Sequence, residues 1–402
     1  MTTPFKAVKV CDNVYWVGAI DWTLRDFHGY ATTRATTYNA FLIVSDKITL
    51  IDTVKAPFMH EMMSRIASVV DPAKIDYIVS HHTEMDHSGC LPQVMEAVKP
   101  EKLYASSGSV DAMLRHFNRD LRPTVVKDGE TIDIGGMKLT FIDTRMLHWP
   151  ESNVSYLHER ELLFSQDIFG MHLATSERFE DEVPHDVVYF EGAKYFANIV
   201  LPYSPLVIKL LDRVQSLGLK FSLIAPDHGP IWRRDTGRIL DYYRKWALQK
   251  PTAKAVVVYD TMWNSTAAMA RSIGDGLAEE GISVRLMGMG ANHRSDVATE
   301  LLECGALLVG SPTINNQLFP TIADVLSYLK GLKPRNLVGG VFGSYGWSGE
   351  GTKLLEAALD EMKVERVVDT VSVKYVPSDE ILAKCREMGM KVGKVLKARL
   401  GN

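Results

Sequence analysis

Cysteine is scarce in this 402-residue sequence, and the four that occur (Cys11, Cys90, Cys304 and Cys385) form no Cys-x-x-Cys pair. We therefore expect neither a disulfide framework nor a thiolate iron site within the chain. Long apolar runs are also lacking, since none approaches about 18 residues, and this excludes a membrane-spanning helix. The net charge is −4 and no basic block occurs, which argues against nucleic-acid binding. No apolar signal core follows Met1, and this predicts a cytoplasmic protein.

The length of the chain indicates more than one domain, because 402 residues exceed one ordinary hydrophobic core. A boundary is visible near Lys250-Pro251. A helix-like segment from Thr236 to Gln249 ends there, and a strand-like run begins soon afterwards at Ala255. We predict one globular domain at residues 1–250 and a second at residues 251–402.

The first predicted domain mixes short β-rich runs with helical stretches, which is typical of sheets with helices packed outside them. The predicted strands are Asn13 to Ile20, Tyr38 to Val44, Ile48 to Asp52, Lys138 to Asp143, Glu161 to Ser165 and Phe221 to Ala225. The predicted helices are Met59 to Val70, Ser109 to Phe117 and the segment before the boundary.

The run His82-Thr83-Glu84-Met85-Asp86-His87 places four candidate metal ligands directly after the β-leaning stretch Asp76 to Ser80. Two imidazoles and two carboxylates suit iron, manganese or zinc, and their number suits two metals better than one. Taken alone, the run could be a polar surface loop. Three later strands also lead to ligand-type residues, namely His148, Asp167 and His228, and the four positions together favour a metal site.

These candidate ligands divide into two sets of three and one shared carboxylate. We assign one metal to His82, Glu84 and His148, the other to Asp86, His87 and His228, and the bridge to Asp167. Each metal then has two histidines and a terminal carboxylate, a set used by non-haem iron, while a bridge holds two ions about 3.5–4 Å apart. Whether His87 is a ligand stays open, because it and the adjacent Asp86 must both turn inward.

The second predicted domain alternates strands and helices, which predicts a doubly wound parallel sheet of five strands. The predicted strands are Ala255 to Tyr259, Val284 to Met289, Ala306 to Gly310, Leu337 to Phe342 and Thr370 to Val373. The predicted helices are Thr266 to Glu280, Asp296 to Cys304, Thr321 to Lys330, Gly351 to Met362 and Asp379 to Leu400.

Turns after the first, third and fourth of these strands carry candidate cofactor-binding residues. They are Thr261, Met262, Trp263, Asn264, Ser265 and Thr266; Pro312, Thr313, Ile314, Asn315 and Asn316; and Ser344, Tyr345, Gly346, Trp347, Ser348 and Gly349. Hydroxyls and backbone amides at a helix N-terminus suit a phosphate monoester. The first turn resembles the flavodoxin phosphate loop, with Asn264-Ser265 in place of Gly-Asn, and asparagine tolerates the left-handed backbone.

Each of these turns alone could be an ordinary surface turn. All three together favour FMN, and the flat rings of Trp263, Tyr345 and Trp347 suit a flavin. FAD and NAD are disfavoured because no Gly-x-Gly-x-x-Gly follows a strand.

The metal-ligand pattern resembles the metallo-β-lactamase fold, whose hydrolases use His-x-His-x-Asp-His. Glu84 stands in place of the second histidine, and a carboxylate there makes the site harder and more anionic, which favours iron over zinc. The full ligand set, with the segments Asp21 to Tyr30 and Thr36 to Asn39, resembles the flavodiiron proteins. This resemblance implies an α/β multidomain chain, in which a metallo-β-lactamase-like αββα sandwich is followed by a flavodoxin-like, doubly wound, parallel five-stranded sheet.

The flavodiiron resemblance also implies FMN and two non-haem iron ions, a separate rubredoxin as electron donor, and a head-to-tail homodimer. It implies an oxidoreductase that reduces O2 to water, NO to N2O, or both. Four electrons, two from reduced FMN and two from a ferrous pair, convert O2 to two waters, and two electrons convert two NO to N2O and one water. The sequence leaves open which substrate is preferred and whether the chain forms a dimer or a tetramer. His28 is either a proton donor near the open coordination positions or a structural residue.

Three alternatives differ in what they leave unexplained. A metallo-β-lactamase-fold hydrolase with a dinuclear metal site and an accessory flavodoxin-like domain would not need a flavin, and Glu84 opposes it. A pure electron carrier leaves the metal ligands unused, and a metal-free binding protein explains neither domain. The remaining histidines are interpreted as surface or structural residues, namely His60, His81, His116, His158, His172, His185 and His293.

Overall fold

The computed structural model describes residues 4–401, so residues 1–3 and 402 of the two predicted domains lie outside the described chain. The described residues divide into two compact units. The first contains the chain up to His28 with Thr32–Tyr195 and Pro205–Arg244, and the second contains Gly29–Ala31, Phe196–Ser204 and the chain from Lys245 onwards. Two short segments from the first half of the chain therefore group with the second unit, and a boundary between residues 250 and 251 stays a prediction.

The first unit is built on two mixed sheets. The strands in this part of the chain are β1 (Val8–Cys11), β2 (Val14–Trp16), β3 (Ala19–Asp21), β4 (Asp26–Phe27), β5 (Tyr30–Ala31), β6 (Thr36–Tyr38), β7 (Phe41–Ile43), β8 (Thr49–Ile51), β9 (Tyr77–Ser80), β10 (Lys102–Ala105), β11 (Thr124–Val125), β12 (Thr131–Asp133), β13 (Lys138–Asp143), β14 (Asn153–Leu157), β15 (Leu162–Gln166) and β16 (Leu223–Pro226). Strands β3 to β6 lie outside the two sheets, and β5 groups with the second unit. One sheet has the order β1-β2-β7-β8-β9-β10-β11, and the other has the order β12-β13-β14-β15-β16. Strands β8 to β11 run parallel to one another, as do β15 and β16.

Helices lie outside both sheets. They are α1 (Met59–Ala67), α2 (Met85–Ser88), α3 (Leu91–Val98), α4 (Ser107–Phe117), α5 (His185–Tyr195), α6 (Ser204–Ser216) and α7 (Thr236–Leu248). Because side chains alternate along a strand, Tyr77 and Val79 of β9 pack between the sheets with Phe141 and Phe164, whereas Ile78 faces the helices. This arrangement is the predicted αββα sandwich.

Two predicted strands are each divided in the structure. The segment Asn13 to Ile20 forms β2 and β3, and the segment Tyr38 to Val44 is replaced by β6 and β7. Gly18 lies at the first break, where a Cβ atom would stand 2.2 Å from the carbonyl oxygen of Tyr38. Only glycine allows the two backbones to approach so closely, and the chain uses this point to leave one sheet and pair with another strand.

The second unit contains the predicted parallel sheet. Its strands are β17 (Lys254–Tyr259), β18 (Ser283–Gly288), β19 (Ala306–Ile314), β20 (Gln317–Leu318), β21 (Val338–Tyr345), β22 (Glu365–Arg366) and β23 (Val371–Lys374), and its helices are α8 (Ser265–Glu279), α9 (Arg294–Leu301), α10 (Pro320–Leu332), α11 (Glu350–Glu361) and α12 (Asp379–Leu400). The five predicted strands pair in the order β18-β17-β19-β21-β23, all parallel. The two-residue strands β20 and β22 were not predicted.

Helices α8 and α12 pack closely on one face of this sheet. A Cβ atom at Gly276 would lie 2.0 Å from the carbonyl oxygen of Arg386, and one at Gly389 would lie 2.1 Å from that of Ile273. The two glycines therefore let the helix backbones touch. Among the residues from 4 to 401, no helix has the length and hydropathy needed to cross a membrane.

The third strand is longer than predicted and ends in a hairpin. Ser311 and Pro312 continue its parallel pairing with β21, and the chain then turns at Asn315 and Asn316 to pair with β20. Both asparagines have left-handed backbones, with φ values of 49° and 58°. Two such residues form the tight turn that suits the twist of a β-hairpin.

Candidate functional site

The seven predicted metal ligands converge near strand ends in the first unit. His82 and Glu84 follow β9, Asp86 and His87 lie on the short helix α2, His148 lies between β13 and β14, Asp167 follows β15, and His228 follows β16. The ligand-type atoms of His82, Glu84, His148 and Asp167 lie within 4.8 Å of one another, as do those of Asp86, His87 and His228. The predicted division into two groups is thus reproduced in space.

The donor atoms within each group are spaced as ligands of one ion would be. In the first group, Glu84 Oε2 lies 3.2 Å from Nε2 of both His82 and His148. In the second group, Asp86 Oδ1 lies 3.4 Å from His87 Nε2, and Asp86 Oδ2 lies 3.3 Å from His228 Nε2. Atoms about 2.1 Å from a common ion are separated by about 3.0–3.5 Å, so either group has the spacing to hold a metal.

Asp167 turns one oxygen towards each group. Its Oδ2 lies 3.5 Å from His82 Nε2 and 3.2 Å from His148 Nε2. Its Oδ1 lies 3.2 Å from His87 Nε2 and 3.5 Å from His228 Nε2. A carboxylate placed in this way can share its two oxygens between two ions.

Several atoms of the cluster are buried without hydrogen-bond partners among residues 4–401. They are both carboxylate oxygens of Asp86, both ring nitrogens of His87, and Oδ1 of Asp167. Buried polar atoms without partners are costly, and a bound cation would satisfy them. The mixture of imidazole and carboxylate donors fits a pair of non-haem iron ions.

Groups outside the predicted set orient the histidines. Nδ1 of His82 donates to Glu151 Oε1 at 3.0 Å, and Nδ1 of His228 donates to the carbonyl oxygen of Thr37 at 2.6 Å. These hydrogen bonds hold each ring with Nε2 facing the cluster, where it can bind a metal once it has lost its proton. Asp227 was also missed, and its Oδ2 lies 3.6 Å from His87 Nδ1.

Asp227 gives His87 an alternative set of neighbours, because His87, Asp167 and Asp227 form a third group with metal-ligand spacing. Burial, together with the nearby Asp52, raises the pKa of Asp227 well above its ordinary value. Asp227 faces only Nδ1 of His87, whereas Asp86 lies 3.4 Å from His87 Nε2 and 3.3 Å from His228 Nε2, so the structure brings His87 and Asp86 together as the predicted assignment requires.

Two further histidines lie beside the cluster. His81 is turned away from the cluster, with Nδ1 2.6 Å from Asp52 Oδ2 and Nε2 2.8 Å from Ser155 Oγ, and so is structural as predicted. His28 lies at the margin, with Nε2 3.5 Å from Glu84 Oε1 and a side chain that is 77% exposed. The ring therefore lies between solvent and the cluster, and its role as a proton donor stays a prediction.

Before any metal binds, the cluster favours charged side chains. Burial alone would lower the pKa of His82, but hydrogen bonds with Glu151 and Glu84 raise it to about 9. Burial likewise opposes protonation of His148, yet Asp167 and Glu84 raise its pKa to about 10. Burial would raise the pKa of Asp167, but the surrounding histidines hold it well below its ordinary value. Metal binding at neutral pH must therefore displace protons from these rings.

We expect the metal-free protein to lose stability as the pH rises from about 6.5 to about 10. The folded pKa values of His82 and His148 lie above the ordinary 6.5, so the stabilisation from their protonated rings is complete below 6.5 and is lost as the pH passes 9 and 10. Thermal melts of chelator-treated protein should show a fall in Tm on the order of 5 °C across this interval. Metal-loaded protein is the control and should change less, because metal replaces the protons. A metal-free Tm that stays constant or rises would contradict this account.

The second unit has a cavity of about 550 Å³ at the carboxyl ends of its parallel strands. It is lined by residues from all three predicted turns and by two residues after β23, namely Met262, Trp263, Ser265, Pro312, Thr313, Ile314, Asn315, Asn316, Ser344, Tyr345, Gly346, Trp347, Ser348, Tyr375 and Val376. Trp263 and Trp347 are 89% and 86% exposed, although aromatic rings usually bury most of their surface. The cavity therefore offers flat apolar surfaces to a ligand.

Four of the predicted cofactor-binding residues do not line this cavity but belong to the turns that form it. Asn264 begins α8 with φ 66°, which confirms the predicted left-handed backbone, and Thr266 Oγ1 is bonded to Ser344 Oγ at 2.9 Å. Gly349 packs against the ring of Tyr345. Thr261 Oγ1 is buried without a hydrogen-bond partner in the described chain, and so is a candidate donor to a phosphate.

Tyr375 and Val376 were missed in the sequence, although their position after the fifth strand was a usable signal. The carboxyl ends of parallel strands lie at the same edge of a sheet, so the turn after β23 joins those after β17, β19 and β21.

Comparisons with known proteins identify two families along the chain. Residues 36–229 match the family described as ODP family beta lactamase, and residues 257–389 match the flavodoxin family. The chain is 45% identical over 389 residues to a nitric oxide reductase from Moorella thermoacetica, which covers 96% of this chain and 98% of that protein.

Two solved structures are similar over nearly the whole chain. A rubredoxin oxygen:oxidoreductase from Desulfovibrio gigas has a TM-score of 0.97 and 44% identity, with 99% of this chain and 100% of that chain covered. A flavodiiron protein from Giardia intestinalis has a TM-score of 0.94 and 32% identity, with 98% of each chain covered. A lactamase-family match is thus followed along the chain by a flavodoxin match, the similarity to these relatives covers nearly the whole chain, and the chain belongs to the flavodiiron proteins.

Proposed function

We propose that this chain is an oxidoreductase that reduces O2 to water, NO to N2O, or both, with electrons that a rubredoxin delivers through FMN to two iron ions. The observation that carries the proposal is the position of Asp167, whose two oxygens face two separate groups of donors. The names of the relatives, a nitric oxide reductase and a rubredoxin oxygen:oxidoreductase, support the substrates and the donor.

The metal pair is assigned to the seven clustered side chains. His82, Glu84 and His148 would hold one ion, Asp86, His87 and His228 the other, and Asp167 would bridge them. When bound, the iron pair and FMN supply electron transfer, which protein side chains alone do not provide. Two imidazoles and one terminal carboxylate for each ion leave positions at which a small substrate can approach.

FMN is assigned to the cavity of the second unit. The hydroxyls of Ser265 and Thr266 and the backbone at Asn264 lie at the N-terminus of α8, where amide N–H groups favour a phosphate. Trp263 and Trp347 provide aromatic surfaces for the isoalloxazine ring, and the turn at Asn315 and Asn316 lines the same cavity.

Protons are the second requirement of the reaction, because both reductions consume them. His28 is assigned this role, since its Nε2 lies 3.5 Å from Glu84 Oε1 while most of its ring is exposed. Six of the other cluster residues are buried and the His148 side chain is 16% exposed, so the site excludes most bulk water away from His28.

We also propose that the chain has domains at residues 1–250 and 251–402 and works as a head-to-tail homodimer. In such a dimer the FMN of one chain can lie beside the iron pair of the other. Molar mass by light scattering distinguishes a dimer from a monomer or tetramer, and mixed dimers in which one chain lacks iron and the other lacks FMN should retain turnover.

The composition of the purified protein provides a direct test. The proposal predicts about two iron ions and about one FMN per chain, flavin absorption bands, and turnover of O2 or NO with reduced rubredoxin. Parallel assays with the two gases determine which substrate is preferred. Stoichiometric zinc without flavin, and no turnover of either gas, would refute the proposal.

A further inference from the structure

Glu151 is a buried carboxylate aimed at one candidate metal ligand. Its side chain is 1% exposed, and its Oε1 accepts hydrogen bonds from His82 Nδ1 at 3.0 Å, Thr83 Oγ1 at 2.6 Å and Thr83 N at 3.2 Å. Its Oε2 has no hydrogen-bond partner within residues 4–401. A buried carboxylate with one unpartnered oxygen is costly, so its negative charge must be compensated by neighbouring positive charge.

The backbone around Glu151 is held by the beginning of α4. Ser106 Oγ donates to the carbonyl oxygen of Glu151 at 2.7 Å. Gly108 packs so closely that a Cβ atom there would lie 2.9 Å from Glu151 Cβ and 3.1 Å from its Cα. Glu151 is therefore not a mobile side chain that meets His82 by chance, because contacts on two sides fix its position.

The second group of donors has no equivalent partner in the described structure. The Nδ1 atom of His228 donates to the carbonyl oxygen of Thr37, which is neutral. The carboxyl oxygen nearest to His87 Nδ1 belongs to Asp227 and lies 3.6 Å away, beyond hydrogen-bond distance. The two candidate metal sites thus share a similar inner set of ligands but differ in what supports their histidines.

We propose that Glu151 makes the His82–Glu84–His148 group the tighter of the two metal sites, so that the first equivalent of a divalent metal binds there. A carboxylate that accepts the Nδ1 proton of His82 increases the electron density at Nε2 and stabilises positive charge nearby. The neutral carbonyl oxygen of Thr37 increases the electron density at Nε2 of His228 to a smaller extent. The inference rests on the proposed function only in requiring that the cluster binds metal.

Glu151→Gln tests the role of the charge, because glutamine keeps the shape and an oxygen that can accept from His82. Metal-free protein is titrated with Co2+ in competition with a chromophoric chelator. The wild type should bind one tight and one weaker equivalent. Glu151→Gln should weaken the tight equivalent by about 10–100-fold and leave the weaker one unchanged.

Glu180→Gln is the matched control. Glu180 is also buried, but it accepts from the backbone N–H groups of residues 233 to 235 and contacts no candidate ligand. This control should retain the tight equivalent. The change in Co2+ affinity of Glu151→Gln then reports the lost charge near the metal rather than the loss of a buried carboxylate in general.

Two variants with intact Glu151 identify the tight site. His228→Ala removes a ligand of the second group only and should keep the tight equivalent, whereas His148→Ala should lose it. This pair decides the order of loading even if Glu151→Gln does not fold. Tight binding that survives in His148→Ala, or that is unchanged in folded Glu151→Gln, would overturn the inference. Failure of the wild type to bind Co2+ would instead remove the metal assignment on which the proposed function rests.

Discussion

Asp167→Ala is expected to lose both metals and all turnover of O2 and NO. The side chain places one oxygen near His148 Nε2 and the other near His87 Nε2, so its removal takes a ligand from each ion at once. It also removes the negative charge that keeps four imidazoles close together. Metal analysis should fall from about two ions per chain to well below one, with FMN content unchanged.

Asp86→Ala provides the matched control, because it also replaces an aspartate by alanine. The carboxylate of Asp86, however, faces only one of the two candidate metal sites. Asp86 contacts His87 and His228 and lies in the second group. This variant should keep about one ion per chain, in the first group. Near-full metal occupancy in Asp167→Ala, or equal losses in the two variants, would refute the bridging role.

Removing FMN is expected to abolish rubredoxin-driven turnover while the iron content stays the same. The candidate flavin and metal sites use residues from separate compact units, so loss of one cofactor should not release the other. Turnover of the flavin-free protein should fall by at least about 100-fold, because rubredoxin then has no route to the iron pair.

Reconstitution provides the control for flavin removal, since added FMN should restore turnover without added iron. Sustained turnover by the flavin-free protein with reduced rubredoxin would show that electrons reach the metals directly. FMN would then not be the obligatory relay.

Elements with strong local signals could be predicted from the sequence with their observed ends. Helix α12 begins and ends at the predicted Asp379 and Leu400, because Ser378 accepts the N–H of Ile381 at its start and Gly401 adopts φ 77° at its end. Strand β13 also has its predicted ends, Lys138 and Asp143. In both cases the residues that determine where the element begins and ends lie within a few positions of its ends.

The metal ligands could be predicted because each stands near the end of a recognisable strand. The groups that form hydrogen bonds to these ligands could not be predicted from the sequence. Glu151 pairs with His82 across 69 positions of sequence, and Thr37 pairs with His228 across 191. Such contacts depend on how the two sheets pack, and no local pattern specifies them. The same reason applies to the segments Gly29–Ala31 and Phe196–Ser204, whose grouping with the second unit follows from tertiary packing.

The central claim is that FMN and the metal pair act together as one four-electron store. Its most direct test is to reduce the protein fully without oxygen, count about four electrons per chain, and mix it with one equivalent of O2 per chain while following the flavin absorption. The account predicts that each chain consumes one O2, reoxidises completely and releases no hydrogen peroxide. Release of one hydrogen peroxide for each reduced flavin, with the iron remaining ferrous, would contradict it.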